Sequence, residues 1–370
     1  MNVHWGILDM RAAGRRAVRA LGALIALSLL AGVAWAGSDL RKGTSGASEL
    51  LIPVGPEGTA LSGTSTSDVS DIEAIFWNPA GLGGIEGTQA LFTHTSYIAD
   101  MKLNFAAAAT KVGNFGVLGV AAKVLSIGDI IVTTEAAPDG TGEVITPTFT
   151  TIGFTWAKQF TDRVKFGSTM NIVTEHVLDN SATGIAFDFG VQYDTGWRGL
   201  RFGIAMKNFG PTMSFSGPGF DQPVQVPGSD PTSSNRILTF SSAPFELPSL
   251  FVLAGTYDVW RQGHSAVRLL GSFQNNNFGG DNFAGGAEWG YRDMLALRGS
   301  WYGTLATTTD PVTGNESVDF TSGDDVYSGY ALGAGLTVPT GGTKLGIDLA
   351  WRPVRAYFDD TVELGVNMRF

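Results

Sequence analysis

The last ten residues of the chain, Thr361 to Phe370 (TVELGVNMRF), decide the predicted fold, because they alternate between two faces. One face is apolar throughout: Val362, Leu364, Val366, Met368 and Phe370. The other face is polar or small: Glu363, Gly365, Asn367 and Arg369. A strand of this kind in a membrane barrel turns its apolar face to lipid and its polar face to the lumen. We therefore predict a closing transmembrane strand, with Glu363 and Arg369 in lumen ion pairs.

The same alternation recurs from residue 88 onward in segments of about ten residues. A soluble β-sandwich also alternates, but its second face is charged, whereas here that face is mostly Gly, Ala, Ser, Thr and Asn. Small side chains suit the crowded interior of a barrel. We predict an all-β fold, a transmembrane antiparallel β-barrel. The alternating segments number fourteen, and bacterial single-chain barrels have an even number of strands. The predicted strands are 88–98, 102–111, 115–126, 148–158, 163–175, 182–194, 200–209, 246–258, 265–275, 281–291, 294–303, 326–338, 343–352 and 361–370.

The connections between these strands support the count. The long ones, 127–147, 210–245 and 304–325, all follow odd-numbered strands, and the tight turns follow even-numbered ones. Outer-membrane barrels have long loops outside and short turns on the periplasmic side. Aromatic residues near the strand ends predict a girdle at each membrane interface. The predicted outer girdle contains Tyr97, Trp301 and Trp351, and the periplasmic one contains Trp156, Tyr193, Trp289, Tyr291 and Phe370.

Composition narrows the functional classes. The 370 residues are 44% hydrophobic and only 16% charged, with 50 glycines, no cysteine and a net charge of −10. The apolar residues are spread over short segments, and none of them approaches the ~20 residues of a membrane-spanning helix. An acidic chain without a basic run is a poor match for nucleic acid. The lack of cysteine excludes disulfides and cysteine-ligated metals.

The N-terminal residues are typical of a Sec-type signal peptide. Four arginines precede the apolar stretch Leu21 to Val33, and Ala34-Trp35-Ala36 fits a cleavage site before Gly37. A short membrane anchor is the alternative interpretation. We predict a signal peptide at 1–36, a plug segment at 37–87 and a barrel at 88–370, in the outer membrane of a Gram-negative-type bacterium.

No pattern in the sequence predicts an enzyme. His94, His176 and His264 lack the spacing of metal ligands. Neither a G-x-S-x-G nucleophile turn nor a phosphate-binding loop is present. We therefore predict no catalytic residues, no metal site and no cofactor.

The most distinctive string is Phe76-Trp77-Asn78-Pro79-Ala80-Gly81-Leu82. Asn caps helical turns, Pro suits the first helical position and Gly ends a turn, so a short turn is expected here. The string resembles the (Y/F)WNPAGL signature that precedes the first barrel strand in the FadL superfamily (OMPP1/FadL/TodX) of outer-membrane proteins. The chain is most similar to the PorV/PorQ family within it. Further matching segments are 43–47, 67–82, 138–143, 187–196 and 200–211, while 56–63 departs from the usual GARAAGMGGA run.

The resemblance implies a FadL-like barrel with an N-terminal plug, and three functional classes stay open. The resemblance favours the first, a PorV-like protein, which would bind secreted protein cargo or components of a type IX-like secretion system. A FadL-like transporter would carry long-chain fatty acids or other hydrophobic small molecules. A structural barrel would be sealed by its plug. Outer-membrane lipid is an expected partner in every class. The residues expected to contact a ligand or cargo are Phe76 to Gly81 in the plug and the outer-loop phenylalanines Phe215, Phe220, Phe240 and Phe245.

Overall fold

The computed structural model describes residues 41, 43–225, 228, 230, 235–309, 316–323, 326–355 and 357–370. The predicted signal peptide, 1–36, lies outside the described residues. No helix within the described part of the chain is long and apolar enough to cross a membrane.

Fourteen antiparallel strands form a closed barrel, which confirms the predicted fold. Most observed bounds lie within two residues of the predicted ones, and β13 and β18 begin four residues later than expected. The barrel strands are β1 Thr88–Ser96, β2 Lys102–Val112, β3 Gly116–Ser126, β6 Thr148–Gln159, β7 Val164–Val177, β8 Asn180–Asp194, β9 Arg201–Phe209, β13 Leu250–Gln262, β14 Ser265–Asn276, β15 Asp281–Tyr291, β16 Leu295–Thr309, β18 Tyr330–Thr340, β19 Thr343–Arg352 and β20 Thr361–Arg369.

The first and last strands close the barrel, because β1 pairs with β20 in a register that sets Thr93 opposite Gly365. Every other barrel strand pairs with its neighbours in chain order. The remaining strands belong to the long connections: β4 Ile130–Ile131, β5 Val144–Ile145, β10 Phe215–Ser216, β11 Asp221–Val224, β12 Arg236–Thr239 and β17 Glu316–Ser322. Short β4/β5 and β11/β12 hairpins form separate two-stranded sheets.

The two faces of the closing strand β20 are oriented as the alternation predicts. Val362, Leu364 and Met368 are 39%, 47% and 42% exposed on the outer surface, whereas Glu363 and Asn367 are 0% and 4% exposed. The polar face is buried because the lumen is occupied. The outer surface is the apolar band that a barrel presents to lipid.

The connections sort by length between the two ends of the barrel. Those after β3, β9 and β16 are long and lie at one end, here called the long-loop end. Those after β2, β6, β8, β13, β15 and β18 are short and lie at the other, the short-turn end.

Aromatic clusters lie near both ends on the outer surface. At the short-turn end Trp289 stacks on Tyr291 at 6.2 Å, and at the long-loop end Tyr330 contacts Trp351 at 5.9 Å. The assignment of Tyr97 to the outer girdle is wrong. The chain has left β1 at this residue, and its side chain turns inward to pack against the buried core.

Residues 43–87, here called the lumen segment, run against the inner wall before β1 begins. They form two short α-helices, α1 Pro56–Ala60 and α2 Ala74–Trp77, and 3₁₀ turns at Ser48–Leu51, Thr64–Ser67 and Pro79–Gly84. Helical turns of this length are not stable alone, so contacts with the wall must hold them.

Candidate functional site

Asn78 joins the lumen segment to the barrel wall. It is fully buried, and its Oδ1 accepts a hydrogen bond from the backbone N–H two residues on, capping the turn Pro79–Gly84. Its Nδ2 donates to the carbonyl oxygens of Thr66 at 2.8 Å, Val191 at 3.2 Å and Ile204 at 3.4 Å. Val191 and Ile204 are paired across β8 and β9. One amide therefore connects the segment to two neighbouring strands.

Inward-facing glycines make room for this contact. A Cβ at Gly167 of β7 would overlap the backbone of Pro79, and a Cβ at Gly190 of β8 would overlap the Oδ1 of Asn78. A Cβ at Gly203 of β9 would overlap the backbone of Thr66 and Ser67 in the lumen segment. Glycine inside a strand permits such close backbone approach. The wall is thus shaped to receive the motif that follows Trp77.

Phe76 and Trp77 belong to the same motif but have different surroundings. Their rings meet edge to face, with centroids 5.1 Å apart. The Nζ of Lys207 lies 3.5 Å from the Phe76 ring centroid, and the Nζ of Lys123 lies 5.0 Å from it. These are cation–π contacts, and both lysine side chains are buried. The Nε1 of Trp77 is buried without a hydrogen-bond partner among the described residues.

Phe76 and Trp77 line a cavity of about 390 Å³. It lies toward the long-loop end, because its wall includes Lys207 and Asn276 near the outer ends of β9 and β14 and Leu250 at the start of β13. This volume is in the range of small-molecule sites. The aliphatic lining is Leu50, Leu51, Ile52, Pro53, Leu250, Val252 and Ala284. The ring and polar lining is Phe76, Trp77, Tyr97, Tyr302, Tyr327, Ser48, Thr59, Ser62, Thr66, Ser272, Gln274, Asn276, Asn282, Lys207 and Arg352, with Gly63 between them.

A separate ionic cluster holds the lumen segment against the opposite wall. Arg298 on β16 donates to Glu57 of α1 at 2.6 Å, to Glu288 at 2.8 Å and to Asp348 at 2.7 Å. Its side chain is only 7% exposed. Buried guanidinium–carboxylate contacts with several hydrogen bonds hold geometry well, although their net stabilisation is small.

Further ion pairs continue this cluster along the wall. They are Arg268 to Asp68 at 2.7 Å and to Glu288 at 2.6 Å, Arg201 to Asp258 at 2.7 Å, and Arg369 to Asp71 at 3.0 Å. Asp68 and Asp71 belong to the lumen segment, and the arginines belong to barrel strands. None of these groups lines the 390 Å³ cavity in the described structure.

The closing strand contributes in two ways. The prediction of a lumen ion pair is confirmed for Arg369, which contacts Asp71. It is wrong for Glu363, which has no ion pair among the described residues. Glu363 instead accepts hydrogen bonds from the N–H of Gly55 at 2.6 Å and the hydroxyl of Thr59 at 2.7 Å, because the start of α1 lies directly against it.

The carboxyl group of Glu49, in the 3₁₀ turn Ser48–Leu51 of the lumen segment, is buried, and this turn contains no basic residue. Glu49 is 2% exposed and lies beside Glu175 of β7, whose Oε1 accepts from the N–H of Ala47 at 3.0 Å. The Nζ of Lys123 donates to the backbone carbonyls of Glu49 and Ile52 at 2.6 Å each. Burial, with the nearby Glu175 charge, raises the pKa of Glu49 to about 7.

The four outer-loop phenylalanines divide into two pairs. Phe215 and Phe245 contact each other with centroids 5.7 Å apart and pack on a buried cluster that includes Met213. Phe220 and Phe240 lie at the β11/β12 hairpin, joined by a backbone hydrogen bond of 2.9 Å, and Phe240 is 56% exposed. None of the four lines the cavity in the described structure.

Sequence reasoning missed the cavity residues on the strands, chiefly Lys207, Arg352 and Tyr302. The alternation indicates inward positions but not which of them meet around one space. Lys207 keeps the inward position that the alternation predicts, but the alternation fails at Asn208, because β9 has an extra residue where Phe187 and Phe189 of β8 change partners. Asn208 takes a positive φ of 58° there, so both Lys207 and Asn208 are buried. Such a bulge re-aims side chains locally.

No group of three or more His, Asp or Glu side chains suitable for a metal occurs in the part of the chain that the structure describes.

No protein-family model matches the chain, and no curated protein matches it in sequence. Solved structures do match. The monoaromatic hydrocarbon channel CymD has a TM-score of 0.53 at 13% identity, covering 86% of this chain and 98% of that one. A FadL homologue of Pseudomonas aeruginosa has a TM-score of 0.50 at 11% identity, with 86% and 98% covered. The toluene transporter TodX of P. putida has a TM-score of 0.51 at 11% identity, with 86% and 98% covered. The likeness shows that the fold is FadL-like.

Proposed function

We propose that this protein is a non-enzymatic outer-membrane channel that takes up small hydrophobic molecules, with the lumen segment as its plug. The observation that carries the proposal is the 390 Å³ cavity on the long-loop side of α2, walled in part by aromatic and aliphatic side chains. Concave sites with apolar walls and a few polar groups are typical of small-molecule binding.

The similar structures add support of a second kind. Two of them are described as a monoaromatic hydrocarbon channel and a toluene transporter. Their barrels are covered almost completely by the match, so the same architecture serves passage of hydrophobic molecules elsewhere. An outer-membrane location follows from the same proposal.

The plug role rests on how the lumen segment is held. Hydrogen bonds from Asn78 attach it to β8 and β9, and ion pairs from Arg298 and Arg369 attach it to the opposite wall. A segment fixed on both sides of the lumen closes the direct path along the barrel axis and leaves the cavity as a stopping point.

The test measures binding and uptake of toluene by a variant whose cavity is filled by a large side chain. Ala284 lines the cavity from β15, so Ala284→Trp fills it, whereas Ala287→Trp changes the outward face of the same strand. Equilibrium dialysis of labelled toluene with the purified protein, and uptake by cells that produce it, should be lost with Ala284→Trp and kept with Ala287→Trp. Equal toluene binding by both variants, or no binding by the unmodified protein, would contradict the proposal. A labelled long-chain fatty acid in a parallel sample tests that form of the transport hypothesis.

The PorV-like function, binding of secreted cargo, stays a prediction from sequence resemblance. No observation on the cavity or on the similar structures favours it. The presence of proteins with type IX sorting domains in the same genome is the measurement that bears on it, and their absence would exclude it.

A further inference from the structure

The cavity is cationic inside an acidic protein. The chain has 34 Asp and Glu residues against 24 Lys and Arg residues. Among the described residues around the cavity, however, there is no carboxylate, whereas Lys207 and Arg352 both line it. Glu57, Glu288 and Asp348 are instead engaged in the Arg298 cluster. Glu49, Asp188 and Glu363 are buried in the lumen outside this cluster, and they do not line the cavity. The charge of the cavity is therefore set by two cations.

Lys207 has no carboxylate partner in direct contact. Its side chain is 5% exposed, makes no ion pair within the described residues and rests 3.5 Å from the centroid of the Phe76 ring. Asp188 is near enough to attract the ammonium group, but its two oxygens accept from the N–H of Asn208 at 2.6 Å and from the Nδ2 of Asn171 at 2.9 Å. The ammonium group lines the cavity and can contact a ligand there.

Arg352 likewise makes no ion pair with a carboxylate among the described residues. Its Nη2 donates to the hydroxyl of Tyr302 at 3.3 Å, and its guanidinium lies 3.9 Å from the centroid of the Tyr327 ring. Its Nε is buried and has no hydrogen-bond partner in the described structure. A buried cationic donor of this kind is costly unless an acceptor is supplied, and a planar guanidinium is suited to a carboxylate.

The rest of the wall suits a ring rather than a long chain. Five aromatic side chains line the cavity, from both the lumen segment and the strands: Phe76, Trp77, Tyr97, Tyr302 and Tyr327. A dry cavity of about 150 Å³ accepts benzene, so a space of about 390 Å³ holds a one-ring or two-ring acid together with some water.

We infer that this cavity selects small aromatic carboxylates over neutral aromatic hydrocarbons and aromatic amines. The carboxylate is held by Lys207 and Arg352, and the ring lies among the aromatic side chains. This inference rests on the proposed function, because it names the substrate class of the same cavity.

The experiment compares three probes with one ring each: benzoate, toluene and benzylamine. Binding to the purified full-length protein in detergent is measured by equilibrium dialysis at low salt. Benzoate should bind at least tenfold more tightly than either of the others, since an ionised hydrogen-bonded contact is worth a factor of this order. Toluene or benzylamine binding as tightly as benzoate would overturn the inference.

Variants locate the effect. Arg352→Gln and Lys207→Gln should each weaken benzoate binding at least tenfold and weaken toluene binding by a smaller factor, so the preference for benzoate falls, and Arg352→Lys should keep part of the preference. Arg261→Gln, which removes a 74% exposed arginine outside the cavity, is the matched control. Benzoate binding that survives both substitutions unchanged would overturn the inference. If a variant fails to fold, the ranking of the probes on the unmodified protein still decides.

The outcomes separate the two proposals. Toluene that binds and is blocked by Ala284→Trp, with benzoate no better, supports the channel and refutes the anion preference. No binding of any probe refutes the channel and the preference with it.

Discussion

Asn78 is the residue on which the position of the lumen segment depends most directly. Its amide supplies one acceptor to its own turn and donors to the carbonyls of Thr66, Val191 and Ile204. Removing the amide takes away the 2.8 Å donor of the buried Thr66 carbonyl, which keeps only a 3.4 Å contact from the Nε2 of Gln192, together with both contacts to the strands. Unsatisfied buried groups are more costly than the bonds themselves are stabilising.

We predict that Asn78→Ala lowers the free energy of unfolding by about 1–3 kcal/mol. Asn78→Asp should be no better, because it keeps the acceptor for the Pro79–Gly84 turn but loses the donors to the wall. Urea unfolding in detergent, followed by heat-modifiable gel migration, measures the loss. Asn114→Ala in the exposed turn between β2 and β3 is the control, and equal midpoints for the two substitutions would contradict this interpretation.

Glu49 gives a pH dependence to the same segment. Burial and the neighbouring Glu175 raise its pKa to about 7 from an ordinary value of 4.5, against the attraction of Lys123. The folded protein therefore holds this proton up to about pH 7, whereas the unfolded chain releases it near pH 4.5. Because the unfolded state releases protons first, the contribution to stability falls as the pH rises through this window.

We expect the amide protons near Glu49 to exchange more readily at pH 8 than at pH 5, after correction for intrinsic rates. The upper bound on the change is about 3 kcal/mol, from the cited shift. Glu49→Gln should reduce the dependence, because the amide does not titrate, while the buried carboxyl group of Glu175 leaves a smaller dependence behind. A dependence of the same size in Glu49→Gln would assign it to another group.

At this scale, sequence reasoning predicts what is local. The turn at Asn78-Pro79 follows from the capping preference of Asn and the fixed φ of Pro. The inward turn of Tyr97 and the hydrogen bonds of Glu363 to α1 could not be predicted, because both depend on what fills the lumen. Lys207 lies on the inward face that the alternation predicts, and the bulge breaks the alternation only at Asn208; the period of two does not show which inward residues meet around the cavity.

At the scale of elements, β7, β8 and β9 form a wall specialised for backbone contact. Their inward glycines, Gly167, Gly190 and Gly203, lie where the lumen segment approaches most closely. The opposite wall uses long charged side chains to reach the same segment. The two walls therefore hold it by different physical means, close packing on one side and ion pairs on the other.

We predict that Gly190→Ala displaces the motif from its seat, since the new Cβ would overlap the Oδ1 of Asn78. The expected loss is about 1–3 kcal/mol, as for other overpacked cores. Gly285→Ala, on the outward face of β15 with open space around it, should be neutral. The comparison is made by thermal unfolding in detergent, and similar midpoints for the two variants would argue against a tight seat.

Strand positions were predictable because the period of two repeats through most of each strand. The bounds of β15 and β19 agree with the prediction residue for residue. The small hairpins β4/β5 and β11/β12 were not predicted, since their strands are too short to show any alternation. Their position at the long-loop end agrees with the predicted sorting of the connections.

For the whole molecule, the ionic cluster couples the lumen segment to the barrel. Arg298 contacts three carboxylates that come from α1, β15 and β19. Removing it leaves these carboxylates near one another without their common cation. Breaking a buried ion pair from one side is much more costly than losing an exposed one.

We predict that Arg298→Gln destabilises the folded barrel by about 3–5 kcal/mol. Arg261→Gln should change the free energy of unfolding by less than about 1 kcal/mol, because Arg261 is 74% exposed. Refolding from urea into detergent, monitored by gel migration, compares the two. A small effect at Arg298 would show that the cluster does not hold the lumen segment.

Sequence features that extend over the whole chain predicted the barrel wall, but they did not predict the cavity inside it. Alternation, even strand number and loop lengths all refer to the wall, and they agree with the structure. The cavity forms between a segment of low regularity and side chains from strands distant in sequence. The period of two does not show which of these residues come into contact, so the aromatic and cationic lining of the cavity could be identified only from the three-dimensional structure.

The pairing of β20 with β1, together with the hydrogen bonds of Glu363 to Gly55 and Thr59, has a consequence for the order of assembly. One strand, β20, both closes the sheet and holds the start of α1. We therefore expect closure of the barrel and docking of the lumen segment to be coupled. A chain that lacks β20 should expose residues 43–87 to protease together with an open sheet.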